Sequence, residues 1–198
     1  MPSVIDPCFY VKDGMMILNY VDDCIIAGRI MKDIDSFIYS MQHGSENFIL
    51  TDEGDVNKFL GIEITHNKDY SFEMSQPFLI DRLLSLLVLV NNEFYTSTTT
   101  PVSKGLLSRY LAGKPRKLSW KYCTAVGMMS YLQGYTRPEI SMPFHQTSRF
   151  YNNPMLCHEK DVTRIGRYLL GTKTRGIIYN PDKSRGLECY VDADFSGG

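Results

Sequence analysis

The sequence predicts an α+β chain: antiparallel hairpins first, helices next, and a short β segment at the end. Three observations carry that prediction. Apolar runs in the first half are cut by turn residues, beginning with Asp13-Gly14, a strong two-residue hairpin signal. Apolar residues in the second half recur at helical spacing. After Thr172 the pattern returns to short apolar runs. With 198 residues, 43% hydrophobic and 12% aromatic, the chain can build a real core, which excludes global disorder.

Taken in order, residues 9–12 and 15–21 read as strands on either side of Asp13-Gly14. The second is almost continuously apolar, as a buried strand would be. Asp22 and Asp23 follow, then a second apolar strand over 24–28, so two carboxylates are expected at the tip of a buried hairpin. Ile34, Phe37, Ile38 and Met41 share one face of a helix over 31–42. Residues 48–50 and 59–65 read as strands, and Asn67-Lys68-Asp69 turns the latter into 70–74. Gln76-Pro77 opens a helix running to about Val88, with proline in the first turn, where its missing N–H costs nothing.

Residues 91–118 show little periodicity and many Thr, Ser, Lys and Gly, so they read as a linker or long loop. Ser119 is a good N-cap for a helix over 120–135, with Val126, Met129 and Leu132 on its apolar side. Pro138 opens another helix, with Ile140, Phe144 and Phe150 inward, and Asn153-Pro154 breaks it. A third helix over 158–170 has Val162, Ile165 and Leu169 on one face and Lys160, Arg164 and Arg167 elsewhere, with Gly171 as its expected C-cap. Strands over 176–179 and 187–193 close the chain. The expected division is 1–90, a linker over 91–118, a helical part over 119–172, and terminal strands over 173–198.

The formal net charge of −1 hides an asymmetry. Residues 1–101 hold 6 Lys/Arg and 15 Asp/Glu, a net of −9, whereas residues 102–185 hold 15 Lys/Arg and 4 Asp/Glu, a net of +11. Residues 186–198 add −3. A basic block of this size points to an anionic partner, with a solvated face of ordinary helices as the plain alternative. The five cysteines are an odd number without a C-x-x-C pair, which argues against a disulfide framework or a zinc ribbon and for an intracellular setting. The longest apolar run, near residues 83–90, is far short of the ~20 residues of a membrane span, so no membrane partner is expected.

The sharpest chemical signal is Tyr20-Val21-Asp22-Asp23 between two apolar strands. Adjacent carboxylates at a buried tip repel, and a divalent cation relieves the repulsion; hard oxygen donors are what Mg²⁺ prefers. The plain alternative is a solvated turn. In context, however, these residues resemble the catalytic palm hairpin of the reverse transcriptase of copia-type retrotransposons. Further blocks follow in family order: Ile5-Asp6-Pro7-Cys8, residues 48–64, Gln76-Pro77-Phe78-Leu79, Thr100-Pro101-Val102, residues 122–132, Thr136-Arg137-Pro138-Glu139-Ile140, and residues 164–172. The resemblance spans essentially the whole chain.

That resemblance implies part of a right-hand polymerase. It comprises antiparallel palm hairpins carrying the Tyr-Val-Asp-Asp turn and primer-grip region, then a helical thumb and connection, then a terminal β segment. Asp22 and Asp23 would be catalytic metal ligands for Mg²⁺, binding it weakly in this fragment. Asp192 would match the first metal-binding aspartate of a truncated ribonuclease H domain. The family's fingers and a further metal-binding aspartate lie upstream of the hairpin, and only 19 residues precede Tyr20, so a fragment inactive by itself is expected. The implied partners are an RNA/DNA primer–template, deoxynucleoside triphosphates and the remaining polyprotein, in the cytoplasm (within a virus-like particle) or the nucleus.

Gly61 would let a backbone approach the primer closely, or would mark a β-bulge. Lys114, Arg116 and Lys117 would track phosphates, or lie in a solvated loop. Arg137 would contact phosphate, or set a helix junction with Pro138. The competing functional reading is a degenerate or host-retained remnant that binds nucleic acid and catalyses nothing.

Overall fold

The computed structural model describes residues 3–45, 47–90, 96–102, 113–182 and 184. Among the described residues it is a mixed α+β structure with antiparallel sheets and five α-helices. The chain divides into two units, Met1–Val56 and Asn57–Gly198. The boundary between these units lies at residues 56–57, away from the expected division at residue 90.

In the first unit, strands β1 (Phe9–Lys12), β2 (Met15–Tyr20) and β3 (Asp23–Ala27) form an antiparallel sheet in sequence order. Asp13 and Gly14 join the first two with φ of 52° and 79°, the paired left-handed conformation that a tight hairpin with the right strand twist requires. Helix α1 (Met31–His43) follows. Its expected face is present: Ile34, Phe37, Ile38 and Met41 are half-buried while the rest of the helix up to residue 40 is exposed. A Cβ on Gly28 would lie 3.2 Å from both Ile34 and Met15, which shows how closely the helix meets the sheet.

No described residue of this unit is fully buried, so its strands do not form the buried hairpin expected of them. Residues 48–50 are not a strand either. Their backbone finds partners at the end of α1 instead: Phe48 N–H donates to Met41 O at 3.0 Å, and Gln42 Nε2 donates to Leu50 O at 3.1 Å.

The second unit holds the core. Strands β4 (Lys58–Phe59), β5 (Ile62–His66), β6 (Phe72–Ser75) and β7 (Ile177–Tyr179) form an antiparallel sheet in that order. The single strand expected over 59–65 is thus two strands joined by Leu60-Gly61. Between β5 and β6, Asp69 Oδ1 accepts hydrogen bonds from Ser71 Oγ at 2.6 Å and Ser71 N at 3.1 Å. Those bonds favour the ionised carboxylate and hold Asp69 below its ordinary value.

Helix α2 (Pro77–Leu86) begins on the expected proline. Helix α3 (Tyr122–Tyr135) starts two residues later than expected, with Lys121 rather than Ser119 at its N-cap. A 3₁₀ turn (Pro138–Ile140) leads into α4 (Ser141–Ser148), where one helix was expected. Helix α5 (Leu156–Gly171) includes Gly171 as its last residue, and Thr172 is the C-cap. Leu83 and Leu84 of α2, Met129 and Leu132 of α3, and Val162, Ile165 and Leu169 of α5 pack into one cluster with Ile140 and Phe144. Burying each such side chain contributes roughly 1.5–3 kcal/mol. Among the described residues no helix is long and apolar enough to cross a membrane.

The described parts of the expected linker, 96–102 and 113–118, lie along α5 and are held there by side chains. Arg167 Nε donates to Thr96 O at 2.6 Å, and Thr98 N–H donates to Arg167 O at 3.3 Å. The strand expected over 187–193 lies outside the described residues.

Candidate functional site

The turn joining β2 to β3 is closed by the pair Tyr20–Asp23, leaving Val21 and Asp22 as its two central residues. Val21 has φ 57° and Asp22 is not left-handed, the pattern of a hairpin turn whose first central residue is ordinarily glycine. A β-branched side chain there is strained by on the order of 1–3 kcal/mol. Val21 is 83% exposed, so no packing of its own side chain compensates. The strain is retained by the strand pairing on either side.

Asp22 and Asp23 are both exposed, which corrects the expectation of a buried tip. Neither carboxylate has a hydrogen-bond or ion-pair partner among the described residues. Two adjacent, unengaged carboxylates suit a hard divalent cation, but they are too few to enclose one. Among the described residues no group of three or more His, Cys, Asp or Glu could hold a metal. The hairpin therefore offers part of a metal site. Asp192 lies outside the described residues.

Gly61 is neither in mid-strand nor a bulge. Leu60 and Gly61, with φ 49° and 77°, form the tight turn between Phe59 and Ile62. Nothing lies within 4 Å of a Cβ placed on Gly61, so its backbone conformation alone calls for glycine. The turn is tethered from outside its own sheet: Tyr131 Oη on α3 donates to Leu60 O at 2.6 Å.

The expected cationic run separates into two kinds of residue. Lys114 and Lys117 are exposed. Arg116 is not a solvated phosphate-tracking residue. Its Nε pairs with Glu159 Oε2 at 3.3 Å, its Nη2 donates to Trp120 O at 2.7 Å, and its guanidinium lies 4.4 Å from the centre of the Trp120 ring. Glu159 is buried and also accepts from the backbone N–H groups of Lys117 and Leu118, at 3.4 and 3.0 Å. This organising carboxylate went unread in the sequence; an acid in the first turn of a helix was its only signal.

Arg137 is a helix-junction residue, 1% exposed. Its Nε pairs with Glu139 Oε1 at 2.8 Å, Nη1 donates to Thr172 O at 3.0 Å, and Nη2 donates to Thr172 Oγ1 at 2.6 Å. It ties the start of the 3₁₀ turn to the end of α5, and its burial denies it to a phosphate. His158, without metal-ligand neighbours among the described residues, is structural too. Its Nδ1 accepts from Met155 N–H at 2.9 Å, and its ring stacks on Phe150 at 3.7 Å.

Comparison with known proteins places this geometry in context. The chain is 31% identical over 199 residues, 98% of its length, to the retrovirus-related Pol polyprotein from transposon RE1 of Arabidopsis thaliana. It is 29% identical over 97% of its length to the corresponding polyprotein from transposon TNT 1-94 of Nicotiana tabacum. A putative transposon Ty5-1 protein of Saccharomyces cerevisiae is 26% identical over 92% of the chain. The chain spans 13% and 15% of the two polyproteins and 58% of the yeast protein. No protein-family model matches it. No solved structure matches it.

Proposed function

The chain is a homologue of the retrovirus-related Pol polyproteins of copia-type transposons, and on that premise we propose that it is the segment of the reverse transcriptase carrying two of the polymerase's metal-binding carboxylates. The observation that carries the reading is the β2–β3 turn: Asp22 and Asp23 stand unengaged at the tip of a hairpin whose apex, Val21, is held at φ 57°. Backbone strain of this kind clusters at functional sites.

In the intact enzyme Asp22 and Asp23 would hold Mg²⁺ together with a carboxylate from elsewhere in the polyprotein. The metal would supply charge stabilisation to nucleotidyl transfer. The chain's own contribution is positional: the paired strands fix the backbone of both residues, so only the two short side chains would have to be ordered when metal and substrate arrive. The basic surface of the second unit would hold a primer–template through phosphates, with little sequence preference. Deoxynucleoside triphosphates would be substrates, Asp192 would begin a ribonuclease H domain, and the setting would be intracellular.

Primer extension on poly(rA)/oligo(dT) tests the reading. The 198-residue chain alone should give no product. A polyprotein containing it should extend the primer, and Asp22→Asn should abolish extension without lowering the thermal midpoint. Full activity of the Asp22→Asn polyprotein would remove Asp22 from its role. Binding of primer–template by a polyprotein that never extends it would favour the non-catalytic remnant.

A further inference from the structure

We propose that α5 carries a binding face for the phosphate backbone of nucleic acid, formed by Lys160, Arg164 and Arg167 and framed by the hydroxyls of Thr96 and Thr100. The inference rests on the nucleic-acid reading above and names the residues that would make the contact. The three cations stand at i, i+4 and i+7. At 3.6 residues per turn they share an arc of about 60° and span about 10 Å, the axial length of about three phosphates of one duplex strand. The opposite side of the helix, with Val162, Ile165 and Leu169, is buried in the core. No acid falls within the arc: Glu159 is buried elsewhere, and Asp161 lies outside it, about 100° from Lys160 and about 60° from Arg164.

Charge balance separates this face from the other arginines. Arg116 pairs with Glu159, Arg137 with Glu139 and Lys173 with Asp81. Among the described residues, none of Lys160, Arg164 and Arg167 meets a carboxylate. The arginines are instead held by neutral groups. Arg167 Nε donates to Thr96 O at 2.6 Å and its Nη2 to Thr96 Oγ1 at 3.2 Å, while Arg164 Nη2 donates to Thr100 Oγ1 at 3.0 Å. Such bonds keep two long side chains extended and reduce the entropy lost on binding. They leave the positive charge uncompensated; Arg164 Nε is itself buried without a hydrogen-bond partner among the described residues, so a phosphate contact would fall to the outer Nη groups. A phosphate oxygen accepts more strongly than a hydroxyl, so an arriving backbone would improve on the present partners. Thr96 and Thr100 are themselves exposed and can donate to it.

The test is an anisotropy titration of a labelled RNA–DNA primer–template with the full chain, between about 50 and 200 mM salt. Each phosphate contact contributes about 0.9 to the log–log slope. Lys160→Gln/Arg164→Gln/Arg167→Gln should flatten the slope by about 2–3, and Arg164→Lys/Arg167→Lys should preserve most of it. Because the arginines also hold residues 96–100, Lys160→Gln is the deciding single variant. Lys160 has no partner among the described residues, so the change should flatten the slope by about 1 while the unfolding midpoint stays put. Wild-type binding with an unchanged slope in both Gln variants would overturn the proposal alone. Failure of the wild type to bind at the lowest salt would overturn the nucleic-acid reading with it.

Discussion

Arg137 and His158 show how side chains that invite a functional reading can belong to the framework. Removing Arg137 leaves Thr172 without its donors and Glu139 with only the Tyr168 hydroxyl, which donates to its Oε1 at 3.3 Å. Glu139 is partly exposed, so the cost lies at the low end for a broken buried pair, about 3 kcal/mol. Arg137→Ala should therefore lower the urea midpoint yet leave the salt slope of duplex binding unchanged; a flatter slope without loss of stability would return Arg137 to the phosphate contacts. For His158, burial holds the folded imidazole below its ordinary value. The unfolded chain then binds the proton first. His158 contributes its full stability above the unfolded value of about 6.5, and that contribution declines as pH falls from there toward the folded value. Urea unfolding between pH 7.5 and 5.5 should show the decline. His158→Asn, which can keep an acceptor for Met155 N–H, should flatten it; an equal decline in the variant would assign the pH dependence to another group. The Asp22-Asp23 pair was legible in the sequence because it is local. Its exposure was not, because that depends on what the rest of the first unit fails to cover.

Elements were legible where their cause lies within a few residues. Asp13-Gly14 dictates its own turn, and the spacing of Ile34, Phe37, Ile38 and Met41 dictates the inner face of α1. The Leu60-Gly61 turn was hidden because leucine gives no sign of φ 49°. Residues 48–50 misled in the other direction: they have the composition of a strand but pair with a helix end instead. The segments at 96–102 and 113–118 could not be read at all, since Arg164, Arg167 and Glu159 order them from far along the chain. Strand β7 was anticipated, but not its neighbour. A Cβ on Gly176 would collide with the carbonyl of Met74 on β6, a backbone atom that cannot move aside without breaking the ladder. Gly176→Ala should therefore detach or shift β7 and cost about 1–3 kcal/mol. Amide exchange at Ile177 and Ile178 should rise more than that of α3; unchanged protection there would show that the sheet accommodates the methyl group.

The two units differ in how they are held together. Every buried hydrophobic residue of the described chain lies in the second, while the first relies on a small sheet and one half-buried helix face. Cooperative stability requires buried apolar contact, so unfolding should not be a single step. In hydrogen exchange of the full chain, amides of β1–β3 should be lost well before those of α3 and α5. Equal protection in both would show that the first unit acquires support from elsewhere. The order of the second sheet has a consequence for synthesis on the ribosome. Met74 on β6 pairs with Ile177 on β7, so the partner of β6 is made about 100 residues after β6 itself. Throughout that interval β4, β5 and β6 can form their meander with the outer edge of β6 open, while α2, α3, α4 and α5 are translated. The strand that covers this edge emerges after the helical core, so the nascent chain carries an unpaired edge for most of the time the unit takes to be made.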